Sequence, residues 1–164
     1  MGIDIQTSVR TAVLVAEELT GISLSTTDII LTVRSSDEVE VVDGQSAGAA
    51  ITVALISAMT NQSVNEGVYM TGTINGDMSV GPVSGIQYKA LATAESGSTC
   101  FVVPEGQSTI VVYIPKTYKT FHGRTITRYE KELVELEDYL EENGYAVDVL
   151  EVANIEEANT LFFG

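Results

Sequence analysis

The 164-residue sequence has few of the residues that build disulfide frameworks and metal centres. Its single cysteine, Cys100, excludes an intramolecular disulfide, and one cysteine with one histidine cannot form a Cys/His zinc site. Cys100 directly precedes the apolar run 101–103, so we expect a buried structural thiol rather than a nucleophile. The chain must therefore fold around a hydrophobic core, and its length is that of one domain.

Cationic residues are also scarce, with 8 Lys and Arg against 23 Asp and Glu, which gives a net charge of −15. Such a chain repels phosphates, so we expect no binding of nucleic acid and no contact with anionic membranes. No apolar segment approaches the length needed to span a bilayer. Much of the acidity lies in residues 130–142, which we interpret as the solvated face of a helix.

Hydrophobic periodicity predicts helices and strands that alternate along the whole chain. This order is typical of an α+β domain with a layered α/β arrangement, in which helices pack on a mixed β-sheet. The predicted helices are 5–19, ending at Gly21, then 47–59, a third from Ser84 as the N-cap to about 96, then 134–143 and 155–163. The predicted strands are 28–34, 38–42, a hairpin over 67–80 that turns at 75–76, then 99–103, 109–114 and 146–152, with a second hairpin over 120–127.

Ser46 lies where a β-branched run, 39–42, gives way to the most apolar predicted helix. A hydroxyl at a helix N-terminus lies beside unpaired N–H groups that can hold an oxyanion. Small residues around it, including Gly44 and Gly48, allow another backbone to approach closely. Ser46 is therefore either a nucleophile or an ordinary N-cap in a glycine turn.

One candidate base for Ser46 is the only histidine. Residues 44–48 read GQSAG and fit the G-x-S-x-G pattern of α/β-hydrolases, with Asp77 and His122 following in the required order. His122 lies in a hydrophilic segment between Lys119 and Arg124, and this position equally fits an exposed surface histidine.

The other candidate base is Lys89, which would form a Ser-Lys pair with Ser46. A lysine acts as a general base only where burial lowers the pKa of its amine far below the ordinary value of about 10.4. Lys89 borders the apolar stripe of its predicted helix, beside Ile86 and Ala90, and no acidic residue lies one turn away. The sequence therefore permits desolvation of this amine.

Three ordered segments resemble the proteolytic domain of Lon proteases. Residues 43–50, DGQSAGAA, are similar to the D-G-P-S-A-G serine segment of that family. Residues 70–74, MTGTI, resemble its M-T-G-E-I strand, and 82–92, PVSGIQYKALA, resemble the segment whose second lysine is catalytic. That lysine falls on Lys89, and its spacing from Ser46 also agrees.

The resemblance implies a Lon proteolytic-domain fold and peptide hydrolysis through an acyl-enzyme on Ser46, with Lys89 as the general base. It implies that Thr71 helps to position Lys89 and that Asp43 shapes the site without acting as a base. Backbone N–H groups around Ser46 would hold the oxyanion. The other supporting residues would be Gly44, Gln45 and Ala47.

Departures from the family pattern include Gln45 in place of proline, Ser84 in place of glycine, and residues 87–88 in place of Lys-Glu. The resemblance covers about 5–104, so 105–142 is expected to be an insertion, and N-terminal strands of the family domain are expected to be missing from the chain. The resemblance also implies polypeptide substrates and a homo-oligomer, specifically a hexameric ring.

No G-x-x-x-x-G-K-[ST] motif occurs, so no cofactor is expected in this chain, and ATP is expected only with a separate ATPase module. Relatives include membrane-tethered proteins, which leaves the compartment of this protein open. Two alternatives also stay open: a His-assisted esterase that uses Ser46 and His122, and a non-catalytic assembly or adaptor domain.

Overall fold

The computed structural model describes residues 2–32, 43–119 and 124–164. These residues form five helices and seven strands in a mixed α+β arrangement, which confirms the predicted fold class. The helices are α1 (Ile3–Thr20), α2 (Gly48–Thr60), α3 (Ile86–Glu95), α4 (Leu136–Glu142) and α5 (Ile155–Phe163). The strands are β1 (Val68–Met70), β2 (Thr73–Ile74), β3 (Val80–Gly81), β4 (Cys100–Pro104), β5 (Thr109–Lys119), β6 (Thr125–Glu135) and β7 (Asp148–Val152).

The centre of the fold is a parallel sheet with strand order β1-β4-β7, and β4 lies in the middle. Because successive side chains of a strand point to opposite faces, Val102 packs with α1, α2 and α5, whereas Phe101 and Val103 pack with α3 and α4. All three side chains are fully buried. The sheet therefore carries helices on both faces, as buried parallel strands require.

The helix predictions agree well with the structure where the apolar periodicity is strong. Helix α1 ends at Gly21, whose left-handed conformation (φ 68°) lets its N–H donate to the Glu17 carbonyl at 2.9 Å. Helix α5 has the predicted bounds and is capped by Asn154, whose side chain accepts from the Glu157 N–H. No helix among the described residues is long and apolar enough to cross a bilayer.

Two predictions from the first half of the chain require correction. Residues 28–32 form no strand, and the rest of the predicted strands 28–34 and 38–42 lies outside the described residues. The predicted hairpin over 67–80 divides between two sheets, because β1 pairs with β4 while only β2 pairs with β3. Gly72 interrupts the run between them in an extended conformation of positive φ (158°) that glycine adopts readily.

Further corrections concern helix starts. Helix α3 begins after Gly85, which has a left-handed conformation (φ 67°), so Ser84 does not cap it. The acidic helix begins at Leu136 rather than 134, and residues 130–135 belong to β6. The predicted helix face over 130–142 was therefore partly wrong, because the alternating pattern of this segment pairs it with β5 over eleven positions. The tip of this hairpin, 120–123, lies outside the described residues.

Candidate active site

The structure brings Ser46 and Lys89 together. Ser46 lies in the turn before α2, and Lys89 lies in the first turn of α3. Lys89 Nζ donates a hydrogen bond to Ser46 Oγ at 3.0 Å, and both side chains are half-buried. Ile86 and Ala90, which flank Lys89 on the helix, are buried in the core, so α3 is held with Lys89 beside the turn that carries Ser46. This arrangement has the hydrogen-bond geometry that a nucleophile and its base require.

The N-cap interpretation of Ser46 is wrong. The N-cap of α2 is Ala47, and no side chain caps this helix. The Ser46 hydroxyl accepts from the Lys89 amine instead, so its side chain is not used to stabilise the helix end.

The turn that carries Ser46 is held by the segment between β1 and β2. The Ser46 carbonyl accepts from Thr71 Oγ1 at 3.1 Å and from the Gly72 N–H at 3.0 Å. In return, the Ala49 N–H donates to the Gly72 carbonyl at 3.1 Å. Thr71 is only 5% exposed. Its hydroxyl therefore fixes the backbone of Ser46, and its predicted effect on Lys89 stays a prediction.

Glycines allow this close approach between the two segments. A Cβ at Gly48 would lie 2.8 Å from Ile74 Cγ2, and a Cβ at Gly72 would lie 2.5 Å from Val80 Cγ1, which belongs to β3 rather than to the serine turn. The small residues that we interpreted as room for a bound peptide thus admit a neighbouring segment of the same chain. Position 44 favours glycine for another reason, because its φ of 118° is a conformation that other residues rarely adopt.

Asp43 connects the serine turn to the start of α1. Its Oδ1 accepts from the Gly44 N–H at 2.9 Å and from the Ile5 N–H at 3.1 Å. These hydrogen bonds, Gly44 first and Ile5 second, lower the pKa of the Asp43 carboxyl below its ordinary 3.8. The adjacent Gln45 is exposed, and its carbonyl accepts from the Gly48 N–H at 3.0 Å. Asp43 thus holds the turn as a carboxylate at the N-terminus of a helix.

The histidine hypothesis is not tested by the described residues, which include Asp77 but not His122. Asp77 accepts from the Ser79 hydroxyl at 2.6 Å and from the Ser79 N–H at 3.1 Å, and these bonds lower the pKa of Asp77. His122 lies outside the described residues. Cys100 is half-buried, and burial, followed by the charges of Asp148 and Glu137, raises the pKa of its thiol. The raised pKa disfavours the reactive thiolate.

Gln107 is a structural residue near the site that sequence reasoning missed. Its side-chain amide accepts from the Val83 N–H at 2.8 Å and donates to the Val83 carbonyl at 2.8 Å. This pairing imitates a strand partner and fixes the segment that leads into α3 and Lys89. No local pattern marks a glutamine for such a role, because both of its partners lie 24 positions earlier. Within the described ranges, no cluster of three His, Cys, Asp or Glu residues could hold a metal ion.

The chain is thus an α+β domain that holds a half-buried serine within hydrogen-bond distance of a lysine. The model of the Lon protease (S16) C-terminal proteolytic domain matches residues 17–137 of this chain. The chain therefore belongs to the family of Lon C-terminal proteolytic domains.

Individual relatives are similar over about half of the chain. Lon protease 2 of Bdellovibrio bacteriovorus is 39% identical over 77 residues, which are 47% of this chain and 10% of that protein. Lon protease 1 of Bacillus subtilis is 35% identical over 77 residues, with the same two shares. The archaeal Lon protease of Thermoplasma acidophilum is 37% identical over 91 residues, or 56% of this chain and 14% of that protein. The matched region thus spans a small part of each of these longer relatives.

Proposed function

We propose that this protein is a serine endopeptidase that cleaves unfolded polypeptides through an acyl-enzyme on Ser46, with Lys89 as the general base. The observation that carries the proposal is the 3.0 Å hydrogen bond between the Lys89 amine and the Ser46 hydroxyl. Ser46 comes from the turn before α2 and Lys89 from α3, and each is held by buried neighbours or backbone hydrogen bonds. Family membership supports the class of reaction.

The proposed reaction has two steps with one proton carrier. Ser46 Oγ attacks the carbonyl carbon of the scissile peptide, and its proton passes to the neutral amine of Lys89. When the C–N bond breaks, Lys89 returns this proton to the leaving amine, and an ester forms on Ser46. Lys89 then takes a proton from water, whose oxygen attacks the ester, and the proton returns to Ser46 Oγ as the acid product leaves.

The oxyanion of each tetrahedral intermediate requires N–H donors beside Ser46. The N–H groups of Gly48 and Ala49 already donate to the carbonyls of Gln45 and Gly72. The backbone N–H groups of Ser46 and Ala47, in the turn itself, are therefore our candidates for the oxyanion site. Thr71 and Gly72 would preserve its geometry, because they hold the Ser46 carbonyl from the opposite side.

The substrate class and the assembly are also proposals. The relatives are named Lon proteases, and we infer by analogy that polypeptides are the substrates of this chain. We further propose that it works as a homo-oligomer, and that ATP acts only through a separate module if one accompanies this domain.

Cleavage of an unfolded protein such as casein tests the proposal. We expect Ser46→Ala and Lys89→Met each to lower kcat/KM by about a thousandfold or more, because a nucleophile and its base act as a unit. Methionine keeps the apolar stem of the lysine, so circular dichroism should show an unchanged fold. His122→Ala should leave cleavage within about twofold of wild type. Full activity of Lys89→Met would overturn the mechanism, and loss of activity only in His122→Ala would favour the esterase alternative.

A further inference from the structure

The β5–β6 hairpin has one face that no described part of the chain covers. Among the described residues, β5 and β6 pair only with each other, over eleven positions. Near the root of the hairpin, Ile110, Val112 and Val134 pack against the core on the inner face. Because successive side chains of a strand alternate between faces, the remaining register positions form an outer face, and every side chain on it is exposed.

The middle of this outer face is apolar and aromatic. Its apolar members, which we call the outer patch, are Val111, Tyr113, Tyr129 and Leu133, which are 51–72% exposed, together with Pro115. Contiguous exposed apolar side chains mark interaction sites, and tyrosine is among the residues that contribute most to binding. The outer patch therefore has the composition of the centre of a binding surface.

Two lysines place positive charge on the same face. Lys131 stands opposite Tyr113, and its amine lies 5.9 Å from the centroid of the Tyr113 ring, which is the range of a cation–π contact. Lys119 lies on the outer face near the distal end of β5. Distal to Lys131 the hairpin has one acidic residue, Glu130, which belongs to the inner face and is paired there with Lys116 at 2.8 Å. The outer face is therefore cationic from its middle to its distal end.

The root of the hairpin has the opposite charge. The acidic side chains of Glu132, Glu135 and Asp138 line an open groove there, and Leu133 of the outer patch borders it. An anionic ligand is repelled at this root and attracted by the distal lysines. The outer face therefore selects a ligand that places apolar groups on the patch and acidic groups at the distal end.

An extended polypeptide fits this surface better than a nucleic acid does. A polypeptide in the extended conformation presents side chains at the spacing of the hairpin strands, about 3.3 Å per residue, and can carry both apolar and acidic groups. The phosphates of a nucleic acid would be repelled by the acidic root and by the net charge of −15. The aliphatic side chains of Val111 and Leu133 also offer no aromatic ring on which a base could stack.

The hairpin is attached to the core beside the candidate active site. Ile110, at the root of β5, belongs to the same core cluster as Ile86 and Ala90. These two residues flank Lys89 on α3. The hairpin is therefore anchored next to the helix that supplies the proposed general base.

We propose that the outer face of the hairpin binds an extended segment of an unfolded, acidic polypeptide substrate. Apolar side chains of this segment contact the outer patch, and acidic side chains contact Lys119 and Lys131. The inference rests on the proposed function in making this ligand a substrate. From Val111 to Lys119 the face is about 26 Å long at about 3.3 Å per residue, whereas a four-residue peptide extends about 13 Å. A short substrate therefore cannot occupy the active site and also span this face.

Binding to the inactive variant Ser46→Ala tests the proposal without any cleavage. Fluorescence anisotropy compares two labelled peptides of about twenty residues that share the same apolar residues and carry either glutamates or lysines at the other positions. The glutamate peptide should bind about tenfold more tightly than the lysine peptide. Adding Tyr113→Ser/Tyr129→Ser should weaken its binding about tenfold. Adding Lys119→Glu/Lys131→Glu should reverse the preference between the two peptides.

The matched control, Tyr118→Ser/Ile126→Ser, removes a tyrosine and an aliphatic residue from the inner face of the same hairpin, where both are exposed. It should bind the glutamate peptide within about twofold of its parent. The reversed preference is a gain of binding to the lysine peptide, which an unfolded variant cannot produce. Unchanged binding in the tyrosine variant, or an unchanged preference in the lysine variant, would overturn the proposal. So would variants that lose only self-association or only binding to single-stranded DNA.

Cleavage with Ser46 intact tests whether the bound polypeptide is a substrate. Tyr113→Ser/Tyr129→Ser should raise KM for casein about tenfold and change kcat less than twofold. The ratio of kcat/KM for casein to kcat/KM for a four-residue peptide ester should therefore fall about tenfold. An equal loss with both substrates would overturn recruitment by the hairpin. Absence of cleavage by the wild type would refute the proposed function, whereas peptide binding to Ser46→Ala decides separately whether the hairpin binds polypeptides.

Discussion

Replacement of Thr71 by valine tests whether a single buried hydroxyl preserves the geometry of the serine turn. Thr71 Oγ1 donates to the Ser46 carbonyl at 3.1 Å, and the side chain is 5% exposed. Valine has nearly the same shape but cannot donate. The Ser46 carbonyl keeps its hydrogen bond from the Gly72 N–H, so no acceptor is left unpaired.

The expected loss of stability is that of one net hydrogen bond, about 1 kcal/mol in the free energy of unfolding. If the same interaction holds Ser46 in the transition state, kcat falls about fivefold, since about 1.4 kcal/mol corresponds to tenfold. KM should change little, because Thr71 is buried away from a bound peptide. Urea unfolding and the hydrolysis of a fluorogenic peptide measure the two effects separately.

Thr71→Ser is the matched control, because it keeps the hydroxyl and removes one methyl group. It should also lose about 1 kcal/mol of unfolding free energy, here through lost apolar burial, yet keep kcat near the wild-type value. Stability then falls in both variants while activity falls in only one. The reasoning is refuted if Thr71→Val keeps the wild-type kcat, or if both variants lose activity equally.

Three further substitutions test the supports around the site. Gly48→Ala should lower the free energy of unfolding in urea by about 1–3 kcal/mol. The new Cβ would lie 3.0 Å from the backbone nitrogen of Ile74, which cannot move aside. A variant as stable as wild type would contradict this packing. Gln107→Leu removes two hydrogen bonds to Val83, so it should lower the free energy of unfolding by about 1–3 kcal/mol and also lower kcat. Gln107→Glu keeps the acceptor, so its losses of unfolding free energy and of kcat should both be smaller. The pKa of the Asp43 carboxyl is lower in the folded state than its unfolded value near 3.8. The stabilisation that the carboxylate contributes is therefore complete above the unfolded pKa and is lost as the pH falls through the lower folded pKa. Unfolding free energies of wild type and Asp43→Asn should therefore converge below about pH 3.8, and a difference independent of pH would argue against the carboxylate.

Sequence reasoning succeeded where a local pattern determines the structure. The apolar period of α1 and α5 predicted these helices closely, and the motifs around Ser46 and Lys89 identified two residues that the fold brings within 3.0 Å. Their catalytic roles stay a prediction. The predicted strand 38–42, which leads into the serine turn, and His122 lie outside the described residues.

The wrong predictions have two physical causes. Either the structural partner is distant in sequence, or a backbone conformation overrides the preference of the side chain. β1 leaves its predicted hairpin because β4, about thirty positions later, offers a buried parallel edge. Helix α3 begins after Gly85, which has a left-handed conformation. The neighbouring Ser84 is a common N-cap residue and therefore led to the wrong helix start. The hydrogen bond from Thr71 to the Ser46 carbonyl was also not foreseen, because β1 delivers Thr71 beside the serine turn; the predicted effect of Thr71 on Lys89 stays a prediction.

The central claim is that the Lys89 amine activates the Ser46 hydroxyl. The most direct test is mass spectrometry of the protein after incubation with a slowly hydrolysed acylating peptide ester, followed by mapping of the modified residue. The account predicts an acyl group on Ser46 in wild type and none in Lys89→Met under the same conditions. Equal acylation of Ser46 in the two proteins, or an acyl group on another residue, would contradict it.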